Sequence, residues 1–89
     1  MPQKYSYIVS RRFIKNWSKL DLRTKKETVE KIDIFLENPY SPTIKTHKLT
    51  GKLKDCWSFS VSYHLRIMFK FGQGKTVEFI DIGSHEIYK

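Results

Sequence analysis

The sequence predicts an α+β fold in the order β-α-α-β-β-β. In this fold, two N-terminal helices pack on one face of a small, mainly antiparallel sheet, and a short C-terminal helical turn follows. Apolar residues recur every three or four positions after residue 10, and they alternate with polar residues after residue 56. The chain has 89 residues, of which 39% are hydrophobic, which is enough for one compact core. Residues 1–89 are therefore expected to form a single domain.

The first half contains the short strand and both helices. Residues 5–9 are rich in aromatic and β-branched side chains, which is typical of a strand. Ser10 can cap a first helix, whose apolar stripe is Phe13, Ile14, Trp17 and Leu20. Asp21 or Thr24 can cap the second helix, and Asn38-Pro39 ends it because the residue before a proline disfavours helical geometry.

The second half has the pattern of an antiparallel meander. Residues 57–64 alternate apolar and polar side chains, and residues 65–71 repeat the alternation. A hairpin at Gly72-Gln73-Gly74 leads to a last strand at residues 77–82. With the apolar face against the helices, the opposite face is expected to be open and to carry Ser58, Ser60, Ser62, Arg66 and Lys70.

The net charge of +8 is concentrated in two segments. Residues 1–20 have five basic side chains and no acidic one, and residues 43–75 have seven basic side chains against Asp55 alone. Such a distribution is typical of a protein that binds a polyanion such as RNA, and it equally suits a solubilising surface.

Composition excludes several classes of protein. No stretch reaches the roughly 18 apolar residues of a membrane helix, and the N-terminus lacks the apolar run of a signal peptide. A cytoplasmic protein without a membrane partner is expected. Cys56 is the single cysteine, and the spacing of His47, His64 and His85 matches no zinc motif. No metal or other cofactor is expected.

The C-terminal segment Gly83–Tyr88 is the first candidate for an active site. Glycine lets the chain leave a strand sharply, and Ser84 can cap one helical turn. On such a turn His85 and Tyr88 share a face. In the alternative interpretation the segment is a frayed tail, with Tyr88 filling a gap in the core and His85 in solvent.

Three motifs in this order resemble the RelE/ParE superfamily of type II toxins over nearly the whole chain. Residues 47–51 (HKLTG) are similar to its H-x-L-x-G segment, residues 63–69 (YHLRIMF) to its Y-R-[IL]-x-[YF] strand, and residues 82–88 (IGSHEIY) to its I-G-[ST]-H-x-x-[VI]-[YF] ending. The RelE branch implies an mRNA endonuclease that acts in the ribosomal A site and is silenced by a cognate antitoxin. The ParE branch implies inhibition of DNA gyrase.

The resemblance to RelE implies roles for particular residues in RNA cleavage. Cleavage through the 2′-hydroxyl needs a base, an acid and cations at the phosphate. We expect His85 to be the acid or base, Tyr88 to orient the substrate or stack on a base, and Arg66 to stabilise the transition state. His47 is the candidate for the complementary proton transfer. The expected RNA-binding residues are Lys48, Lys52, Lys54, His64 and Lys70.

Some alternatives stay open. Many RelE-like nucleases have a further arginine where this chain has Ser60 or a neighbour. His64 could replace His47 if the alignment slips by one residue. Arg66 could instead pair with Glu78 or Asp81 across the sheet.

Partner binding and the alternative functions also follow from the resemblance. An antitoxin would present an acidic, amphipathic segment, and the basic first helix is a plausible docking face. The core uses every apolar stripe, so the sequence leaves the oligomeric state unknown. A ParE-like gyrase inhibitor, or a degenerate toxin that only binds antitoxin, are the alternative functions.

Overall fold

The computed structural model describes residues 4–84 and residue 87, which form an α+β fold with one five-stranded sheet. The strands lie in the order β1-β5-β4-β3-β2. β1 is parallel to β5 and the other pairs are antiparallel, so the predicted fold class is confirmed. β2 is an additional strand, too short to give a sequence pattern. The elements are β1 (Ser6–Val9), α1 (Arg11–Trp17), α2 (Leu22–Glu37), β2 (His47–Lys48), β3 (Trp57–Ser60), β4 (Arg66–Phe71) and β5 (Thr76–Gly83).

Both helices begin at side-chain caps. The Ser10 hydroxyl accepts a hydrogen bond from the Phe13 N–H at 3.0 Å, and Asp21 accepts one from the Thr24 N–H at 2.7 Å. Hydrogen bonds from Thr24 hold the pKa of Asp21 below its ordinary value of 3.8. α1 ends at Trp17, so Leu20 lies beyond the helix. No helix among the described residues is long and apolar enough to cross a membrane.

The main core lies between the helices and the sheet, with Phe35 of α2 at its centre. Phe35 is fully buried, and its ring lies 4.4 Å from the ring of Phe59 and 4.6 Å from that of Phe69, measured between centroids. Phe79 of β5 is 5.7 Å away by the same measure. These aromatic contacts hold α2 against the three central strands, since buried aromatic side chains contribute most to core energetics.

A second, smaller cluster covers the opposite face of the sheet. Cys56, Met68 and Ile87 are buried there, and Ser58, which points to the same side as its partner Met68, is fully buried. The prediction that this face is open is therefore wrong at Ser58. Ser58 is buried because other parts of the chain cover this face. Leu49, Leu53 and Ile80 pack against the cluster, and Ile87 belongs to it.

The strand predicted at residues 57–64 is too long. β3 ends at Ser60, and residues 61–65 form the connection to β4. The Val61 N–H donates to the Leu65 carbonyl at 2.8 Å, and the Leu65 N–H donates to the Ser62 hydroxyl at 3.3 Å. Because Val61 is buried and Ser62 is exposed, apolar and polar residues continue to alternate after the strand has ended.

Candidate active site

Arg66 lies at the start of β4, beside the end of β5. Its register partners are Ser60 in β3 and Gly83 in β5. The Arg66 Nη1 donates to the Ser60 hydroxyl at 3.2 Å. Its Nε is buried and has no hydrogen-bond partner among the described residues. A buried N–H without a partner is costly, and the guanidinium has further N–H groups that can donate to an anion.

Neither internal ion pair considered for Arg66 is present. Asp81 instead accepts a hydrogen bond from the Arg12 Nε at 2.7 Å. Glu78 lies opposite Lys70 in the sheet, four residues along β4 from Arg66. The ion pairs Lys4–Glu37 and Arg12–Asp81 do not include Arg66. The interpretation of Arg66 as the partner of Asp81 is therefore wrong.

His47 lies on the same face of the sheet as Arg66. It is exposed in β2 and pairs with Ser58, which in turn pairs with Met68, two residues beyond Arg66. Strand spacing then puts the Cα atoms of His47 and Arg66 about 12 Å apart. At this separation both side chains can reach a group that lies between them on the face of the sheet.

The hydrogen bond of the His47 ring favours one tautomer. Its Nδ1 lies 3.1 Å from the carbonyl oxygen of Lys45. A carbonyl oxygen only accepts hydrogen bonds, so Nδ1 carries the proton in this contact. In the neutral ring Nε2 then keeps its lone pair and can accept a proton. The backbone of Lys45 is left-handed, with φ 52°.

The predicted residues His85 and Tyr88 lie outside the described residues, and their roles stay predictions. Between them, the Ile87 N–H donates to the Ser84 carbonyl at 3.1 Å, as in one short helical turn. Ile87 is buried in the second cluster, and its carbonyl accepts a hydrogen bond from the Arg12 Nη2 at 3.3 Å. These contacts fix the described part of the C-terminal turn on the face that carries Arg66.

Replacing Gly83 by alanine is expected to displace this turn. A Cβ at Gly83 would lie 2.6 Å from the Ile87 Cγ2. Overpacking of this kind costs about 1–3 kcal/mol. We expect chemical denaturation to show this loss of stability.

The matched control for Gly83→Ala is the double variant Gly83→Ala/Ile87→Ala. Truncation of Ile87 removes the clashing methyl group. The losses in stability of the single variants Gly83→Ala and Ile87→Ala should therefore sum to more than the loss in the double variant. Additive losses would contradict the contact.

The other predicted RNA-binding residues are exposed but do not form one cluster. Lys70 lies four residues along β4 from Arg66, which is about 13 Å. His64 is in the connection between β3 and β4, where its ring meets that of Tyr63 edge-on at 4.8 Å. Tyr63 is 86% exposed. The predicted lysines of the β2 region, also exposed, are Lys48, Lys52 and Lys54.

Sequence reasoning missed two cations beside Arg66. A pocket of about 370 Å³ is lined by Arg66, by the half-buried Lys31 of α2 and by Lys45. The i,i+4 spacing of Glu27 and Lys31 predicts an ion pair on the exposed side of α2, and no such pair forms among the described residues. One signal was available. Lys31 is four residues before the buried Phe35, so both lie on the face of α2 that meets the sheet.

The described residues contain no group of three or more His, Cys, Asp or Glu side chains that could hold a metal ion. Cys56 is a free thiol buried in the second cluster. The chemistry available at this face is therefore that of an arginine, lysines, hydroxyl groups and a histidine.

Comparison with solved structures identifies proteins of the same fold. The YoeB/ParE toxin from Agrobacterium tumefaciens superposes with a TM-score of 0.75 at 19% identity, covering 90% of this chain and 98% of that one. For the toxin–antitoxin complex RelBE2 from Mycobacterium tuberculosis the TM-score is 0.77 at 15% identity, with coverage of 92% and 99%. For YafQ from E. coli strain BL21(DE3) it is 0.70 at 18% identity, with coverage of 96% and 98%.

The sequence itself matches no protein-family model and no curated protein. The likeness to RelE- and ParE-type toxins that the motifs predict is thus confirmed at the level of the fold.

Proposed function

We propose that this chain, which shares its fold with RelE-, YoeB- and YafQ-type toxins, is the toxin of a type II toxin–antitoxin system. It acts as a metal-independent endoribonuclease on messenger RNA at the ribosome. The observation that carries this proposal is Arg66, whose buried Nε has no partner among the described residues and which lies opposite Gly83. His85 follows Gly83 by two residues in the sequence.

Proton transfer through histidine and charge stabilisation by Arg66 account for the reaction. A base removes the proton of the RNA 2′-hydroxyl, and the resulting oxygen attacks the adjacent phosphorus. The bond to the 5′-oxygen breaks as an acid protonates that oxygen, which leaves a 2′,3′-cyclic phosphate and a 5′-hydroxyl. His47, with Nε2 available as a proton acceptor, is suited to be the base, and His85 the acid. Arg66 donates to the phosphate oxygens, where negative charge develops.

The net charge supports RNA as the substrate. With +8 in 89 residues, the chain attracts a phosphate backbone strongly at low salt. The exposed Lys48, Lys52 and Lys54 extend this charge beyond His47 along the β2 region. Binding to ribosomes is therefore expected to weaken steeply as salt is added.

An antitoxin partner is supported by apolar surface that the sequence did not predict. Ile14 is 54% exposed and Val29 is 47% exposed. They line a groove of about 380 Å³ between α1, α2 and β1, so the expectation that the core uses every apolar stripe is wrong. Arg12 is bound to Asp81. The groove therefore suits an amphipathic antitoxin segment better than the basic face of α1 does.

The proposed activity is tested by mapping RNA 5′ ends after brief induction of the wild-type chain and of Arg66→Gln, in a host that lacks the antitoxin. We expect new in-frame cuts within translated messages. Their frequency should fall by about 10²–10³-fold in Arg66→Gln, the effect of removing one donor to a developing oxyanion.

Arg23→Gln is the control, because it makes the same substitution at an exposed arginine of α2 outside the proposed site. Equal cutting by Arg66→Gln and the wild-type chain would contradict the role of Arg66. Growth arrest with inhibited DNA supercoiling and intact RNA would instead identify a gyrase inhibitor. Antitoxin binding without growth arrest would identify a degenerate toxin.

A further inference from the structure

The pocket that joins α2 to the start of β4 has a composition suited to an anion. It is lined by the three cations Arg66, Lys31 and Lys45 and by hydroxyl groups, with no acidic residue among the described lining. The hydroxyl groups belong to Thr43, Ser60, Ser62 and Tyr63. We propose that this pocket binds a backbone phosphate of the RNA next to the one that is cleaved. This inference rests on the proposed nuclease function.

The cations of this pocket are available to an external anion. Within the described chain neither Lys31 nor Lys45 forms an ion pair. Lys31 is half-buried, although Glu27 lies one turn away on the same helix. A half-buried ammonium group loses part of its hydration, and a bound phosphate would compensate for that loss.

Two features of the backbone bring these cations together. Lys31 shares the sheet-facing side of α2 with Phe35, whose packing against Phe59 fixes the helix above β3. Lys45 follows the short helical turn Pro42–Ile44 with a left-handed backbone. Lys31 therefore reaches the pocket from a rigid helix, and Lys45 reaches it from an ordered turn.

Ser60 leaves β3 without a cation at this end of the strand, beside Arg66 of β4. Ser60 stands on β3 opposite Arg66, close to where the sequence places the missing further arginine of RelE-like nucleases. Its hydroxyl accepts a hydrogen bond from Arg66, and Ser60 also lines the pocket. Lys31 and Lys45 supply positive charge from α2 and from the following turn. In this proposal the positive charges that hold the phosphate therefore lie on β4, on α2 and on the turn after it, and none lies on β3.

The test is binding of a labelled single-stranded RNA hexanucleotide with 2′-O-methyl groups at every ribose, which cannot be cleaved through the 2′-hydroxyl. Fluorescence anisotropy at several salt concentrations gives both affinity and salt dependence. For Lys31→Gln we expect affinity to fall about tenfold at low salt, as when one charged hydrogen bond is lost. The slope of log affinity against log salt should fall by about 0.7, the value for one phosphate on a single strand. Lys31→Arg should keep the slope.

Lys26→Gln is the matched control, because it removes the same charge from an exposed position of the same helix outside the pocket. Equal slopes for Lys31→Gln and Lys26→Gln would overturn the proposal, even with cleavage by the wild-type chain intact. The same anisotropy measurement with labelled hexaglutamate tests for an acidic protein partner. If Lys31→Gln lost hexaglutamate binding and kept RNA binding unchanged, the proposal would be overturned and the pocket would be assigned to such a partner. If the wild-type chain bound no RNA, the pocket and the nuclease function would both be rejected.

Discussion

Replacing His85 by alanine is expected to lower the single-turnover rate of RNA cleavage by about 10²–10⁴-fold, the range for one general acid or base. The reason is chemical. The 5′-oxygen is a poor leaving group until it is protonated, and histidine exchanges protons near neutral pH. Cleavage of a ribosome-bound message, followed by rapid quench at several pH values, gives the rate. One limb of the profile of rate against pH should disappear with the imidazole.

His64→Ala is the control for His85→Ala. His64 is an exposed residue of the turn between β3 and β4, so its replacement should leave stability unchanged. We expect it to reduce RNA binding at most, with the rate at saturation and the pH profile retained. If His64→Ala lost the same limb of the profile and His85→Ala did not, His64 would be the proton-transfer residue and the assignment of His85 would be wrong.

The second large effect is expected from Arg12→Ala, although the Arg12 side chain is 52% exposed. Its partner Asp81 is 1% exposed, so removal of Arg12 leaves a carboxylate buried with one charged partner fewer. Such a loss costs roughly 3 kcal/mol. In a domain of 89 residues this corresponds to a fall in Tm of more than about 12 °C. Thermal unfolding followed by circular dichroism measures it.

Arg11→Ala is the matched control, because it removes an exposed arginine from the same turn of α1. It should change stability by less than about 0.5 kcal/mol. The double variant Arg12→Ala/Asp81→Asn should recover part of the loss, because no charge is then left buried and the Asn16 amide still has an oxygen to bind. Equal Tm values for Arg11→Ala and Arg12→Ala would show that the Arg12–Asp81 pair contributes nothing.

Local patterns were enough to predict most of the fold. The caps at Ser10 and Asp21 and the end of α2 at Asn38 depend on neighbouring residues, and each is as expected. The second cluster could not be predicted in this way. Ser58 is buried on the face that carries this cluster, where Met68 and Ile87 come from later parts of the chain and have no shared periodicity with it.

The candidate site was predicted less completely for the same reason. Arg66 stands on the predicted strand, and its alternation with apolar neighbours placed it on the correct face. Its partners depend on tertiary contacts. From the sequence, Glu78 and Asp81 are the acceptors considered for Arg66. In the structure Asp81 instead forms an ion pair with Arg12, and Lys31 lines the pocket beside Arg66.

The position of β5 in the sheet has a consequence for the order of folding. β5 is the last of these strands in the sequence, yet it lies between β1 and β4 and pairs with both. Until it is available, β1 has no partner in the sheet, and pairing of the first strand with the last is a slow, non-local step. The pairing of Arg66 with Gly83, which needs β5 in place, therefore belongs to the late steps of folding.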